Sequence, residues 1–184
     1  MKNQIRNEMK EKRRSMKKTA VAEKSRKAAE LFLNSDVYKS AKTIMLYMPL
    51  GNETNTEEII KQAFADGKSL VLPVTDEESG AITPVVFEKS TVFQKGGFSI
   101  REPQNHVVAE KAEIDVVVVP GIAFDRTGAR VGFGKGCYDM FLCGMDVMKV
   151  GYCFDFQLMD KIPADQHDIK MDFVVTENEI IGCK

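Results

Sequence analysis

Four consecutive valines, Val116–Val119, constrain the fold of this chain more than any other segment. A strand with one face in water alternates apolar and polar residues, whereas an unbroken apolar run is typical of a strand buried on both faces of a parallel sheet. A second region supports such a sheet, because Thr43–Tyr47 and Leu70–Leu72 have strand character and enclose a helix that begins near Thr56 and ends before Gly67. This strand–helix–strand order predicts a right-handed parallel crossover.

The other predicted elements continue this alternation of helices and strands. We expect helices at residues 3–18, 19–33 and about 138–144, strands at 147–153 and 173–176, an edge strand or hairpin at 85–87, and irregular structure at 89–104. A chain of 184 residues suits one domain. We therefore predict that residues 1–184 form a single-domain α/β fold, a three-layer sandwich around a mostly parallel sheet, with a basic N-terminal helix.

Charge is distributed unevenly, although the formal net charge is only -1. The first 27 residues contain eleven Lys or Arg and three Glu. Such an arm suits nucleic acid, a membrane or a polyanionic small ligand, and the acidic remainder argues against a dedicated nucleic-acid binder. The four cysteines form no CxxC pair, the N-terminus has no apolar signal segment, and no apolar run approaches the ~20 residues that cross a bilayer. We therefore expect a cytoplasmic protein.

A glycine-dense segment, GIAFDRTGARVGFGKGCYD, follows the valine strand at residues 121–139. In open α/β sheets, ligands bind outside the carboxyl ends of the strands, which is where this segment begins. Gly132, Gly134 and Gly136 alternate, so backbone N–H groups can converge on phosphate oxygens without side chains between them. The helix that follows directs its positive end to the same place.

Charged side chains beside these glycines favour phosphate binding. Arg130 offers a bidentate fork and Lys135 a point charge, and Asp139 is a carboxylate of the kind that binds Mg²⁺ beside phosphates. The spacing does not match a Walker A loop, which needs Ser or Thr where Gly136 stands. Nor does it match a Rossmann fingerprint, whose third glycine would fall at Cys137. Taken as a bare pattern, the glycines are equally consistent with a flexible turn.

Several segments in this order resemble the 5-formyltetrahydrofolate cyclo-ligase family, also called methenyltetrahydrofolate synthetases. The signature segment is VVVVPGIAFDRTGARVGFGKGCYDMFL, and the resemblance extends over nearly the whole chain. Four further segments carry it: the pair Lys2 and Arg6, the stretch YMPLGNETNTEEII at Tyr47–Ile60, the triplet Arg101–Pro103, and the group His167, Asp168 and Asp172.

The resemblance implies an ATP-dependent ring closure on a fold shared with sugar-phosphate isomerases and CoA transferases. Members of the family convert 5-formyltetrahydrofolate to 5,10-methenyltetrahydrofolate and release ADP and phosphate, with Mg²⁺ present. The formyl oxygen is a poor leaving group, so it is first phosphorylated to an iminium phosphate, and N10 of the folate then attacks the activated carbon. Such catalysis depends on positioning and on stabilising charge at the transferred phosphoryl group.

The resemblance also implies roles for individual residues. Lys2 and Arg6, which share one helical face, would contact ATP. The rest of the ATP site would be Arg130, Val131, Gly132, Phe133, Gly134, Lys135, Gly136, Cys137 and Tyr138. Arg130 and Lys135 would be its catalytic cations. The folate site would contain Met48, Glu53, Phe133 and Cys137, and Mg²⁺ would be bound by Asp139 and Asp168.

Two positions depart from the family pattern. The position between the first two loop glycines is commonly Arg and is Phe133 here, and the first of a pair of tyrosines is Cys137. Loss of that Arg removes a charge that could neutralise the phosphoryl group, while Lys135 adds one where many members have glycine. Three interpretations follow. The first is a monomeric cyclo-ligase that acts on a small-molecule folate, with or without a polyglutamate tail, and binds neither nucleic acid nor a membrane. The second is a nucleotide- or folate-binding relative with weak or altered activity, and the third is an RNA-associated protein that uses the basic arm.

Overall fold

The computed structural model describes residues 1–96, 101–104 and 107–183, with the side chains of Lys95 and Arg101 outside that description. The helices within those ranges are α1 (Lys2–Ser15), α2 (Lys18–Asn34), α3 (Asp36–Ser40), α4 (Glu57–Ala65) and α5 (Cys137–Leu142). The strands are β1 (Thr43–Met45), β2 (Ser69–Thr75), β3 (Ile82–Phe87), β4 (Phe93–Lys95), β5 (Arg101–Pro103), β6 (Val116–Val119), β7 (Ala123–Asp125), β8 (Arg130–Val131), β9 (Met148–Tyr152), β10 (Leu158–Met159), β11 (Phe173–Val175) and β12 (Ile180–Gly182).

A seven-stranded sheet in the order β12-β11-β9-β6-β1-β2-β3 forms the centre of the molecule. The inner strands β11, β9, β6, β1 and β2 run parallel, and the edge strands β12 and β3 run antiparallel to their neighbours. In β1, Ile44 pairs with Leu70 on one side and with Val116 on the other. The predicted parallel connection from β1 through α4 to β2 is therefore confirmed, as is the mostly parallel sheet, while the right hand of the crossover stays a prediction.

Successive side chains of the central strands point to opposite faces of the sheet, so helices and loops pack on both faces and form three layers. Val116 and Val118 of β6 pack into the hydrophobic core shared with α2, α3 and α4. Val117 and Val119 point to the opposite face, where they pack with Phe124 and Phe141. Because all four valines are buried, the prediction from the unbroken apolar run is confirmed. Among the described helices, none has the length and apolar character needed to cross a bilayer.

The predicted helices at residues 3–18 and 19–33 correspond to α1 and α2, but α1 ends at Ser15, three residues earlier than predicted, and a break precedes α2. Met16 has an extended backbone, with φ -65° and ψ 134°, and α2 begins at Lys18. The amide Nδ2 of Asn52 donates hydrogen bonds to the carbonyl oxygens of Arg13 and Met16, 3.0 and 3.1 Å away. Asn52 thereby satisfies carbonyls that the end of a helix leaves without a partner.

Short strands appear where irregular structure was expected. The predicted irregular segment 89–104 contains the antiparallel hairpin of β4 and β5, as far as the structure describes it. The segment 121–139 contains β7 and β8, which form a small sheet with β10. Phe124 of β7 fills the space beside Gly121 and Gly151, where an added Cβ atom would approach its ring to 2.5 Å. These two glycines allow the small sheet to pack closely on the central one.

Candidate functional site

A cavity of about 610 Å³ opens at the carboxyl ends of β1 and β6. The chain passes from β1 to β2 on one side, while β6 lies on the other side of β1. This is a topological switch point, the usual position of ligands in an open α/β sheet, and the volume suits a small-molecule ligand. The lining comprises residues after β1 and β6, part of β2 and the glycine loop: Tyr47, Met48, Leu50, Glu53, Pro73, Thr75, Glu102, Pro120, Arg130, Gly132, Phe133, Lys135, Gly136, Cys137, Tyr138 and Asp139.

The glycine loop, residues 132–136, forms one wall of this cavity. Gly134 and Gly136 have φ values of 116° and 67°, which residues other than glycine rarely adopt. Arg6 of α1 donates from Nε to the carbonyl oxygen of Gly132 at 2.8 Å, so the basic helix packs directly against the loop. The following helix, α5, has only six residues, and its dipole is correspondingly a small contribution to the positive potential that we expected there.

Arg130 lies at the base of the loop, and its side chain is 7% exposed. Its Nη2 donates to Asp139 Oδ2 at 2.9 Å, and Nη1 donates weakly to the Pro120 carbonyl at 3.4 Å. The guanidinium also lies 5.7 Å from the ring centroid of Tyr138. Its Nε has no hydrogen-bond partner among the described residues. A buried donor without a partner costs about 1–3 kcal/mol.

Lys135 and Cys137 lie on the side of the cavity nearest the turn between β2 and β3. Lys135 Nζ donates to the carbonyl oxygen of Glu77 in that turn at 2.7 Å. The Sγ of Cys137 lies 3.2 Å from the position that a Cβ atom would take at Gly80. The ammonium that we expected among the loop glycines thus donates one hydrogen bond to the neighbouring turn, while Lys135 also lines the cavity.

Lys2 and Asp168 form an ion pair at the edge of the site. Lys2 Nζ lies 2.6 Å from both Asp165 Oδ2 and Asp168 Oδ2. Burial lowers the pKa of Lys2, but its hydrogen bonds to the two carboxylates outweigh burial, and the pKa is raised overall. Burial raises the pKa of Asp168, but hydrogen bonds from Lys2 and from the Asp165 N–H outweigh it, and that pKa is lowered.

The two candidate metal ligands approach one another through the chain segment after Asp168. Asp139 Oδ1 accepts a hydrogen bond from the backbone N–H of Ile169, the next residue, at 3.1 Å. Within residues 1–96, 101–104 and 107–183, no group of three or more His, Cys, Asp or Glu side chains is arranged to hold a metal ion. Two carboxylates fit Mg²⁺ that is bound jointly with phosphates, because Mg²⁺ takes one or two carboxylates and completes its shell with phosphate oxygens and waters.

Glu53 is a buried carboxylate on the cavity wall, with its side chain 7% exposed. Its Oε2 accepts a hydrogen bond from the Leu50 N–H at 2.9 Å, and its Oε1 lies 3.4 Å from Arg13 Nη1. Burial raises the pKa of Glu53, and Arg13 and the Leu50 N–H reduce that rise without cancelling it. Met48 lines the same cavity. Together they make an apolar wall that carries one carboxylate.

Two charged residues at the site were given no role in the sequence analysis, Arg13 and Glu102. Glu102 is buried, lines the cavity, and accepts a hydrogen bond at Oε1 from the Thr75 N–H at 3.2 Å. Its signal was available, since it is the centre of the triplet Arg101–Pro103, although the side chain of Arg101 lies outside the description. Arg13 follows Lys2 and Arg6 at spacings of eleven and seven residues. Such spacings place all three on one face of α1.

Phe133, which stands where Arg is common in the family, is surrounded by charge from α1. Its ring is 48% exposed. Lys10 Nζ lies 5.5 Å and Arg13 Cζ 5.7 Å from its centroid, and both distances are within the range of cation–π attraction. Two cations of α1 therefore converge on this position from outside the loop.

These features define a class of protein: an α/β ligand-binding protein whose switch-point cleft joins a cationic glycine loop to an apolar wall with a buried carboxylate. Comparison with known sequences is more specific. The sequence model of the 5-formyltetrahydrofolate cyclo-ligase family matches residues 1–177, and the chain belongs to that family. The family predicted from the sequence motifs is thus confirmed.

Individual relatives agree with this membership. The chain is 31% identical over 182 residues to a 5-formyltetrahydrofolate cyclo-ligase of Mycolicibacterium smegmatis, covering 95% of this chain and 93% of the relative. It is 28% identical over 187 residues to the mouse protein of that name, covering 95% and 92%. Among solved structures, the 5,10-methenyltetrahydrofolate synthetase of Aquifex aeolicus superposes with a TM-score of 0.87 at 29% identity, covering 100% of this chain and 93% of the other. This likeness confirms the predicted α/β fold.

Proposed function

We propose that this protein is a 5-formyltetrahydrofolate cyclo-ligase that uses ATP and Mg²⁺. The observation that carries the proposal is a single cavity with two chemically different sets of groups. One set is the glycine loop with the partly unsatisfied Arg130, which suits phosphate. The other is the buried Glu53 on an apolar wall, which suits a flat heterocycle with N–H donors. Family membership then selects this reaction from the many that such a cleft supports.

In this proposal the triphosphate of ATP lies along the glycine loop. The backbone from Arg130 to Tyr138 surrounds it, and Lys2 and Arg6 of α1 supply charge from the other side. Lys2 exchanges part of its pairing with Asp165 and Asp168 for phosphate oxygens. Asp139 and Asp168 hold Mg²⁺, which neutralises phosphate charge when bound.

The folate lies on the apolar wall. Glu53 accepts hydrogen bonds from pterin N–H groups, and Met48 packs against the ring. Phe133 and Cys137 lie between folate and nucleotide in this proposal: Phe133 belongs to the loop, Cys137 begins α5 directly after it, and both line the cavity. We further propose that the protein acts as a cytoplasmic monomer on this small molecule, with or without a polyglutamate tail.

The chemistry proceeds in two displacements. The formyl oxygen attacks the γ-phosphorus of ATP, the bond to ADP breaks, and an iminium phosphate forms. The lone pair of N10 then attacks the formyl carbon, the carbon–oxygen bond breaks, inorganic phosphate leaves, and N10 loses its proton. Arg130 and Lys135 stabilise the charge on the transferred group.

The test is an assay of the purified protein with 5-formyltetrahydrofolate, ATP and Mg²⁺, following the near-ultraviolet absorbance of the methenyl product. We expect a signal that requires ATP and disappears with a chelator. Asp139→Asn, which keeps the shape of the side chain and loses its charge, should remove most metal-dependent turnover. Absence of any ATP-dependent signal would refute the proposed activity, and full activity of Asp139→Asn would refute the metal assignment.

A second candidate function is a relative that binds both ligands and turns over poorly. Phe133 favours it, because an aromatic ring replaces a charge close to the transferred phosphoryl group. Phe133→Arg should raise kcat if that charge is limiting, and Phe133→Leu is the matched control that removes the ring without adding charge. An increase in kcat with Arg but not with Leu would support this candidate. Equal rates for all three proteins would exclude it.

A further inference from the structure

Arg13 lies between the two halves of the cavity and contacts both. Its Nη1 is 3.4 Å from Glu53 Oε1, and its Cζ is 5.7 Å from the ring centroid of Phe133. The side chain of Arg13 is only 12% exposed. A nearly buried arginine between a buried carboxylate and an aromatic face is held on both sides, so its position is determined by the site and not by solvent.

The backbone strengthens this connection. Asn52 donates its side-chain amide to the carbonyl oxygen of Arg13 itself, at 3.0 Å. Asn52 belongs to the same turn as Leu50, whose N–H is hydrogen-bonded to Glu53 at 2.9 Å. The turn that carries Glu53 is therefore attached to the end of α1 twice, through Asn52 and through the Arg13–Glu53 pair.

The charge of Glu53 depends on these contacts. Burial in an apolar wall favours the protonated form of a carboxyl group, and Arg13 opposes that effect. Among the described residues, the other titratable groups coupled to Glu53 are Tyr47 after β1 and Tyr138 of α5. Burial raises the pKa of both phenols above the ordinary range, so both are neutral near pH 7 and Arg13 supplies the compensating charge.

We propose that Arg13 is a positioning residue for the folate substrate: it keeps Glu53 ionised and oriented as an acceptor, and it fixes Phe133 beside it. This inference rests on the proposed function only for the identity of the ligand. Arg13 itself need not touch the folate. Arg13 affects folate binding by acting on Glu53, so we expect no effect of Arg13 on binding when Glu53 is replaced by a residue that cannot ionise.

The experiment measures the Kd of 5-formyltetrahydrofolate by calorimetry without ATP, across about pH 5.5 to 9. The variants are Arg13→Gln, Arg13→Lys, Glu53→Gln and the double variant Arg13→Gln/Glu53→Gln. Arg14→Gln is the matched control, because Arg14 is the exposed neighbour on the same helix. The thermal unfolding of each variant is recorded to establish that it is folded.

We expect Arg13→Gln to weaken binding about tenfold or more near pH 7, the size of a lost charge-assisted interaction. Loss of Arg13 raises the pKa of Glu53 further, so its carboxylate forms only at higher pH. The deficit should accordingly shrink as the pH rises. Arg13→Lys should restore most of the affinity. In the Glu53→Gln background, Arg13→Gln should change Kd less than about twofold, as expected for two residues that act as one unit.

Three results would overturn the inference. Arg13→Gln could match Arg14→Gln at every pH, or it could cost the same affinity with and without Glu53. If Arg13→Gln does not fold, Arg13→Lys carries the test, and a tenfold loss despite the retained charge would be the contrary result. A wild-type protein that does not bind the folate refutes the proposed function together with this inference, whereas binding that is insensitive to Arg13 refutes the inference alone.

Discussion

Replacing Arg130 with Met separates stability from activity at this site. Methionine fills most of the space of the arginine stem and removes the charge and all the donors. Arg130 is nine-tenths buried, pairs with Asp139 at 2.9 Å and lies over Tyr138. A residue that serves mainly the fold would lose stability and activity together. Substitution of a residue that serves mainly to bind a ligand lowers activity much more than stability.

The expected loss of stability is small because two terms oppose each other. Breaking a fully buried pair costs about 3–5 kcal/mol, but the Asp139 side chain is 23% exposed and keeps its hydrogen bond from the Ile169 N–H. The cost is then nearer 1–2 kcal/mol, between the buried and the surface values. Removal of the unpartnered Nε recovers about 1–3 kcal/mol of desolvation. The net change in the free energy of unfolding should therefore lie between a loss of about 1 kcal/mol and a gain of about 2 kcal/mol.

The expected loss of activity is large. An arginine that stabilises a transferred phosphoryl group is worth about 10³–10⁵ in kcat in enzymes of this chemistry. We expect Arg130→Met to lower kcat at least about 10³-fold. The comparison is made by urea unfolding and by the ATP-dependent absorbance assay on the same preparations.

Arg126→Met is the matched control for this experiment. Arg126 lies in the same β7–β8 hairpin but pairs with Glu179 on the surface, with its side chain 56% exposed. Arg126→Met should change neither the free energy of unfolding nor kcat appreciably. The reasoning would be refuted if Arg130→Met lost more than about 3 kcal/mol of stability while keeping most of its activity, because Arg130 would then be a structural residue.

Two further predictions concern the loop and the ion pair of α1. Gly136 has φ 67° and nothing within 4 Å of an added Cβ atom; Gly136→Ala should therefore cost only the conformational term, about 1–2 kcal/mol, and Gly136→Asn less. Urea unfolding checks this, and equal costs for Ala and Asn would contradict it. The lowered pKa of Asp168 means that its pairing contributes stability above the unfolded pKa and that this contribution is lost as pH falls through the folded pKa. The destabilisation caused by Lys2→Met should thus be present at about pH 6 and shrink towards about pH 3; a destabilisation that is constant over this range would show that the pair does not contribute.

The sequence was sufficient for the central sheet because its signals are strong and local. The valine run of β6 and the unit Thr43–Leu72 each have a pattern that few other structures produce. It was insufficient for β7, β8 and β10, because strands of two or three residues contain at most one and a half periods of the two-residue alternation. The sequence predicted a boundary between α1 and α2 but placed the end of α1 three residues too late, since the break at Met16 is stabilised by Asn52, which is distant in the sequence.

The candidate site divides in the same way. Arg130 and Asp139 could be linked to phosphate and metal from residue type and loop spacing alone, while Lys2, Glu53 and Asp168 needed the family motifs. Their roles remain predictions. No pattern in the sequence predicted which residues of the site contact one another, for example that Arg6 donates a hydrogen bond to the Gly132 carbonyl. Such contacts join segments more than a hundred residues apart and depend on how the finished helix packs.

The way in which α1 is attached has a consequence for ligand binding. Only Ile5 and Met9 of its fourteen residues are buried, so few apolar contacts hold it, and the helix can detach at a fraction of the global free energy of unfolding. Detachment breaks the contacts of Lys2 with Asp168, of Arg6 with the Gly132 carbonyl and of Arg13 with Glu53 in one event. Each ligand that contacts these residues shifts the population towards the attached state, and the second ligand then binds a protein that is already ordered. Nucleotide and folate should consequently strengthen each other's binding through the ordering of α1, in addition to their contact at the transferred phosphate, and amide hydrogen exchange in α1 should slow when either is added alone.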